Sequence, residues 1–179
     1  MDVAAHVVEF WKEAGPAKWF ARDDAFDAQF RQLFLDEHFA AASRAREHWL
    51  GSAEGALALM LLLDQFPRNC FRGSAHSYAT DGLARHYAMR AIEEGLDLQL
   101  VPKLRAFIYL PFEHSEDPLD QDRSVAMFDV LGDKEYLQYA ELHRDIIRRF
   151  GRFPHRNAVL GRIPSPEELD YLAEGGFAG

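Results

Sequence analysis

The stretch A-L-A-L-M-L-L-L at Ala56–Leu63, followed at once by D-Q-F-P-R-N at Asp64–Asn69, decides the fold of this chain. Its apolar residues are good helix formers and none is β-branched, so they predict a helix that is apolar on every side. A bilayer span takes about 20 residues, so this run is too short to cross a membrane and must be buried in the protein. We therefore predict a core helix whose polar end is either paired internally or faces a cleft.

Start and stop signals along the chain predict further helices and no convincing strand. Several segments pair a capping residue or proline with an amphipathic run and a stop, namely Asp2–Gly15, Ser52–Phe66, Asp81–Gly95, Pro118–Gly132, Asp133–Gly151 and a last short helix from the capping box at Ser165–Glu168. Pro67 is expected to end the core helix, and Pro111 to cut short a helix over Lys103–Tyr109. The predicted fold is all-α, with about eight antiparallel helices in a single domain over residues 1–179.

The composition is that of a globular protein with an acidic surface. Hydrophobic residues make up 48% of the 179 residues and charged residues 27%. The first residues are acidic where a signal peptide has a basic flank, so we expect no export signal. The single cysteine, Cys70, excludes an internal disulfide and a cysteine-rich zinc site. These features predict a cytoplasmic protein. A net charge of −9 argues against nucleic acid as a partner, nothing indicates a membrane partner, and the oligomeric state stays open.

Two short proline motifs are the candidate ligand-binding elements. F-P-R-N at residues 66–69 returns as F-P-H-R-N at residues 153–157, and each closely follows an apolar helix that ends in charge. One interpretation is that both motifs are helix stops whose arginine and asparagine bond orphan carbonyl groups. The other is a polar pocket, for which the predicted ligand-binding residues are Asp64, Arg68, Asn69, Arg152, Arg156 and Asn157.

The distribution of charge favours an anionic ligand. Residues 143–162 contain six arginines and one acid, whereas residues 113–122 contain five acids and no arginine or lysine. The two stretches are either paired with each other or leave some arginines to face a cleft. Arg152 and Arg156 lie in an irregular segment where guanidinium groups can converge, so we predict that they bind a small anion, with Arg68 as a further candidate.

Four residues are candidates for acid–base chemistry. Glu113 and His114 follow an apolar stretch directly, His143 precedes the last turns of a long helix, and His155 lies in the second proline motif. A histidine beside a carboxylate can act as a general base, and it can equally be a structural hydrogen-bond partner. The chain has no H-E-x-x-H, P-loop, G-x-S-x-G or C-x-x-C motif, so we predict no metal and no cofactor and leave open whether the chain is an enzyme.

Three long sequence blocks carry a family resemblance. D-Q-F-P-R-N at 64–69, Y-L-P-F-E-H-S-E at 109–116 and R-F-G-R-F-P-H-R-N-x-x-L-G-R at 149–162 resemble the signature of the bacterial domain-of-unknown-function family 924, as does W-F-x-x-D at 19–23. The resemblance covers nearly the whole chain. It implies an all-helical, tetratricopeptide-like fold and does not imply a particular activity.

Two functions compete on this basis. The first is a polar, arginine-rich pocket for a small anionic molecule, built by the two proline motifs and the E-H-S-E turn, which we expect to meet in space. The alternative is a tetratricopeptide-like module that binds a peptide or protein partner in a concave groove, although the regular repeat of about 34 residues is absent. Charged and amide residues on loops favour the pocket.

Overall fold

The computed structural model describes residues 2–179, and over that range the chain forms helices and turns without a β-strand. The all-α prediction is therefore confirmed. The chain divides into two compact units: the first comprises the residues up to Arg72 and His76–Pro111, and the second comprises Gly73–Ala75 and Phe112–Gly179. The expectation of a single domain over residues 1–179 stays a prediction. In the described residues, no helix combines the length and the apolar character that a membrane span requires.

The first unit contains the predicted core helix. Its helices are α1 (Val3–Ala14), α2 (Pro16–Trp19), α3 (Asp24–Ala42), α4 (Ala53–Met60), α5 (Phe66–Cys70) and α6 (Asp81–Glu93). Helix α4 packs against α1 and α6, and α5 packs against α3. Every residue of the stretch 56–63 is 0% exposed. The complete burial predicted from the apolar run is thus confirmed.

The core helix does not end before Pro67, as predicted, but continues through a π-helical turn at Leu61–Gln65 into α5. In an α-helix the ring of Pro67 would clash with the carbonyl of Leu63, four residues earlier. The wider π turn, in which the Phe66 N–H bonds to the Leu61 carbonyl, avoids that clash. The proline therefore changes the width of the helix instead of ending it.

Two side chains bond carbonyl groups at this π turn. His38 Nδ1 lies 2.8 Å from the Leu62 carbonyl oxygen, and Thr80 Oγ1 donates to the Leu63 carbonyl oxygen at 2.5 Å. Both side chains are buried. Because an unpaired buried carbonyl is unfavourable, these two bonds stabilise the widened turn.

Helix α7 (Pro102–Glu113) is longer than the predicted Lys103–Tyr109 and includes Pro111. A proline inside a helix removes one backbone hydrogen bond. Residues 106–110, just before it, are at most 7% exposed, so the burial of their apolar side chains outweighs that loss. The prediction that Pro111 ends the helix was wrong for this reason.

The second unit contains α8 (Pro118–Leu131), α9 (Lys134–Phe150) and α10 (Pro166–Ala173), with α8 packed against α9. Helices α9 and α10 carry the predicted caps, since the side chains of Asp133 and Ser165 accept first-turn N–H groups. Asp117 caps α8 in the same way, although only Pro118 was predicted as the start of that helix. Ser165 and Glu168 form the predicted capping box. Gly132 and Gly151 end α8 and α9 in the left-handed conformation that glycine adopts readily.

The core of the second unit lies where α9 ends. Ile146, Ile147 and Phe153 are buried there, and the half-buried rings of Phe150, Tyr171 and Phe177 pack against them. The turn after α7 is fixed separately by Gln121, which is 0% exposed. Its Nε2 donates to the carbonyl oxygens of Glu113 and Ser115 at 2.6 and 2.7 Å. The E-H-S-E turn therefore has a defined backbone.

Candidate functional site

The first proline motif forms a buried ion-pair network in the first unit. Asp64 is 0% exposed and accepts hydrogen bonds from Gln65 Nε2 at 2.7 Å and from Arg68 Nη1 at 3.0 Å. The two Nη atoms of Arg68 also donate hydrogen bonds to the two carboxylate oxygens of Asp81, at 2.8 and 2.9 Å. Arg68 thus connects the end of the core helix to the start of α6.

Asn69 connects the same motif to α3. Its Nδ2 donates to Asp27 Oδ1 at 2.7 Å, and Arg72 Nε donates to the other oxygen of Asp27 at 3.1 Å. Asn69 and Asp27 are both buried. Asp64, Arg68 and Asn69 therefore join three helices of the first unit. This differs from the helix-stop interpretation, because the helix continues through Pro67 and the side chains of Arg68 and Asn69 bond the carboxylates of Asp81 and Asp27.

A pair of histidines beside the π turn was missed by the sequence reasoning. His38 is 0% exposed, and its Nε2 lies 2.8 Å from His76 Nε2. A carbonyl oxygen can only accept, so His38 Nδ1 must donate to the Leu62 carbonyl. Burial lowers the pKa of His38, so the ring is neutral and its Nε2 accepts from His76. The available signal was spacing, since His38 follows Phe30 and Phe34 at four-residue intervals on the buried face of α3.

In the second unit, Arg152 forms a bidentate ion pair with Glu168. Its Nε and Nη2 donate to the two carboxylate oxygens at 2.6 and 2.8 Å, and Nη2 also bonds the Ile163 carbonyl oxygen at 2.9 Å. The hydrogen bond from Arg152 lowers the pKa of Glu168 to about 2. A surface groove of about 310 Å³ lies here, lined by Arg149, Phe150, Arg152, Ser165, Glu167 and Glu168. Each arginine of the groove contacts a carboxylate, because Arg149 pairs with Glu167 at 2.8 Å.

Arg162 ties the second proline motif to the E-H-S-E turn. It donates to both oxygens of Glu116 at 2.8 and 3.0 Å, to Asn157 Oδ1 at 2.9 Å and to the Phe153 carbonyl oxygen at 3.1 Å. Burial alone would raise the pKa of Glu116, but Arg162 and the Phe153 N–H outweigh it and keep the carboxylate ionised. Arg162 was not among the predicted ligand-binding residues, although it belongs to the same arginine-rich segment.

Glu113 and His143 form a buried carboxylate–imidazole contact. They are 3% and 5% exposed, and Glu113 Oε1 lies 3.4 Å from His143 Nδ1. The same Nδ1 lies 2.7 Å from the Tyr139 carbonyl oxygen, so it must carry the proton. Burial lowers the pKa of His143 to about 3, and nearby His114 acts in the same direction. The ring is therefore neutral at pH 7, with an unprotonated Nε2.

The remaining candidates of the second unit lie around this pair. The ring centroids of His114 and His143 are 6.3 Å apart. The Arg156 side chain, on a residue 6% exposed, donates from Nη2 to the His114 carbonyl oxygen at 3.0 Å and lies 4.4 Å above the ring of Phe153. Both Arg156 and His155 contribute to the lowered pKa of His143. We call Glu113, His114, His143, His155 and Arg156 the imidazole cluster.

The structure thus brings all four predicted acid–base residues together with one predicted anion ligand. Arg152 instead pairs with Glu168, and Asn157 accepts a hydrogen bond from Arg162, which pairs with Glu116. Asp64, Arg68 and Asn69 lie in the first unit, so the expectation that both motifs build one site stays a prediction. In residues 2–179, no group of three or more His, Cys, Asp or Glu side chains is arranged to hold a metal ion.

Comparison with known proteins gives matches along nearly the whole chain. Residues 7–176 match the model of a family described as "Bacterial protein of unknown function (DUF924)". The solved structure of a protein of unknown function, ATU0120 from Agrobacterium tumefaciens, is 57% identical in sequence and superposes with a TM-score of 0.94. That match covers 97% of this chain and 98% of the other. No curated protein matches the chain.

Proposed function

The chain belongs to the bacterial family of unknown function DUF924, and we propose that it binds a small anion at the imidazole cluster, with Arg156 as the charged group that pairs with it. The observation that carries this proposal is the buried Arg156, which bonds the His114 carbonyl and acts electrostatically on His143, the residue that Glu113 contacts. A guanidinium fork gives a carboxylate or phosphate two charge-assisted hydrogen bonds in fixed geometry.

Arg156 is the most deeply buried of the three predicted anion ligands, at 6% exposed, and it lies in the imidazole cluster. Arg68 and Arg152 form bidentate pairs with Asp81 and Glu168, and these pairs connect segments of the chain. Arg156 contacts a carbonyl oxygen and the face of Phe153, and its positive charge lowers the pKa of both His143 and Glu116. The positive charge of Arg156 therefore acts on His143, a member of the imidazole cluster.

The other members of the cluster have distinct roles in this proposal. His143 keeps its proton on Nδ1 for the Tyr139 carbonyl, so Nε2 accepts a hydrogen bond from a hydroxyl or amine of the bound molecule. With a pKa of about 3, His143 takes up no proton near neutrality. A reaction at this site would therefore use Glu113, His114 or His155 as the group that exchanges a proton. We also propose that the protein is cytoplasmic. Its single cysteine cannot form an internal disulfide, and disulfides are typical of proteins outside the cytoplasm.

Thermal shift with added sodium phosphate and sodium acetate tests the proposal. A bound anion stabilises the folded protein by RT ln(1 + L/Kd), where L is the free anion concentration, or about 2.7 kcal/mol at a hundredfold excess over Kd. We expect Arg156→Ala to lose most of this gain. Arg156→Lys keeps the charge without the fork, and is expected to keep part of it.

The matched control is Arg148→Ala, because Arg148 lies on the exposed face of α9 in the same arginine-rich segment and pairs only at the surface with Asp122. This variant is expected to respond to the anions like the wild type. Equal responses from the wild type and Arg156→Ala, with both folded by circular dichroism, would contradict the proposal.

A further inference from the structure

The segment after α10 folds back over the second unit in a defined conformation. Gly175 has φ +86°, a value that glycine reaches without strain. A Cβ at Gly176 would lie 2.5 Å from the ring of Tyr171, so only glycine fits there. The next residue, Phe177, donates its backbone N–H to Tyr171 Oη at 3.0 Å. Two glycines and one hydrogen bond thus place the ring of Phe177.

That ring lies against the imidazole cluster. Its centroid is 4.6 Å from the ring of His143 and 5.3 Å from the ring of His155, edge to face in both cases. Ile146, Ile147 and Phe153 complete the apolar surroundings of Phe177. The chain itself therefore shows that an aromatic ring fits beside the two histidines.

The guanidinium group of Arg156 lies next to the same apolar surface. Phe153 contacts it at 4.4 Å on one side, and the rings of His143 and His155 lie 5.4 and 5.7 Å from Phe153. A positive charge and a place for an aromatic ring are therefore both adjacent to Phe153. Edge-to-face packing against imidazole and phenyl rings favours an aromatic group over an aliphatic one.

We propose that the imidazole cluster takes an aromatic anion, such as an aryl carboxylate, whose ring replaces that of Phe177 and whose charge pairs with Arg156. This inference rests on the proposed anion site and specifies the class of its ligand. Phe177 then competes with the ligand, because both rings need the same place beside His143. The apparent affinity for the ligand equals the intrinsic affinity multiplied by the fraction of molecules in which Phe177 has left this place.

The test compares benzoate with acetate on the full chain and its variants by isothermal titration calorimetry. We expect the wild type to bind benzoate more tightly than acetate. Phe177→Ala is expected to bind benzoate about tenfold more tightly than the wild type, as follows if Phe177 covers the site in about nine of ten molecules. Acetate has no ring, so its affinity should change little. The control is Phe150→Ala, which removes a ring that packs on Tyr171 at 5.0 Å in the same apolar cluster.

A second measurement tests, without any ligand, whether the Phe177 ring shields His143 from solvent. Diethyl pyrocarbonate modifies unprotonated imidazole nitrogen atoms, and His143 Nε2 is unprotonated at pH 7. We expect the modification of His143, measured by peptide mass spectrometry, to be several-fold faster in Phe177→Ala than in the wild type and unchanged in Phe150→Ala.

The outcomes separate this inference from the proposed function. If phosphate and acetate bind through Arg156 but Phe177→Ala changes neither benzoate affinity nor the modification of His143, the aromatic ligand is refuted and the anion site stands. If no variant binds phosphate, acetate or benzoate, the anion site is refuted together with this inference.

Discussion

The imidazole of His143 is kept neutral and oriented by the groups around it. Burial is the largest cause of its lowered pKa of about 3, and the nearby His114, Arg156 and His155 add to it. The Tyr139 carbonyl, four residues earlier on α9, fixes the proton on Nδ1. These effects decide which ring nitrogen carries the proton, so the properties of this residue are set by its neighbours.

The lowered pKa of His143 predicts a loss of stability in acid. The unfolded chain takes up a proton near pH 6.5, whereas the folded chain keeps this ring neutral down to about pH 3. Acid therefore favours the unfolded state, and stability falls as pH decreases from about 6.5 towards 3, by at most about 1.4 kcal/mol per pH unit for this one group. His38, whose pKa is also lowered, acts with the same sign.

Urea unfolding at pH 7, 6, 5 and 4 measures this effect. His143→Asn keeps a donor for the Tyr139 carbonyl and removes the titrating ring, so its free energy of unfolding should fall less steeply with acid than that of the wild type. His48→Asn, at an exposed position, should follow the wild-type slope. Parallel slopes for the wild type and His143→Asn would contradict the neutral, buried state of His143.

Single residues also show what the sequence could and could not predict at the site. It predicted Arg68, Arg152 and Arg156 as ligands of a small anion, because guanidinium groups form charge-assisted bidentate contacts, and this stays a prediction. It could not assign the partners, since Asp81 and Glu168 lie 13 and 16 positions away from Arg68 and Arg152 and are brought close by helix packing. The packing of the Phe177 ring against His143 and His155 was not predicted either, because nothing in the sequence G-G-F-A-G indicates a ring that contacts histidine.

Among the elements, the π turn at Leu61–Gln65 connects the buried apolar run to the first proline motif. Helix bounds set by capping residues and glycine were predicted well, as at Asp133 and Gly151 of α9. Bounds set by proline were predicted wrongly at Pro67 and Pro111. Proline reliably stops a helix only where no burial opposes it, and both of these prolines lie in buried helices.

The π turn is expected to depend on Thr80. Its hydroxyl bonds the Leu63 carbonyl, and Thr80→Val keeps the shape of the side chain while removing that donor. A buried carbonyl left without its donor destabilises the folded state by about 1–3 kcal/mol. Chemical denaturation should therefore show a loss of that size.

The matched control for Thr80→Val is Ser43→Ala. Ser43 is exposed and donates to the Ala40 carbonyl at the end of α3, where water can replace it. A change within about 0.5 kcal/mol is expected for this surface position. If Thr80→Val is equally mild, the Thr80 hydroxyl does not stabilise the widened turn.

For the whole molecule, the two units carry polar groups of different character. In the first unit, Asp64, Arg68 and Asn69 are buried or half-buried and join helices through carboxylate pairs. In the second unit, the imidazole cluster combines a buried guanidinium group with neutral imidazole. The basic segment identified in the sequence thus contains both structural ion pairs, at Arg152 and Arg162, and the proposed anion ligand, Arg156.

Binding of an anion at Arg156 is tested most directly with a crystal soaked in sodium selenate. The anomalous signal of selenium locates each bound anion without a model of its shape. We expect a peak within hydrogen-bond distance of the Arg156 guanidinium group in the wild type and no such peak in Arg156→Ala. Peaks confined to surface arginines such as Arg148, with none at Arg156, would contradict the claim.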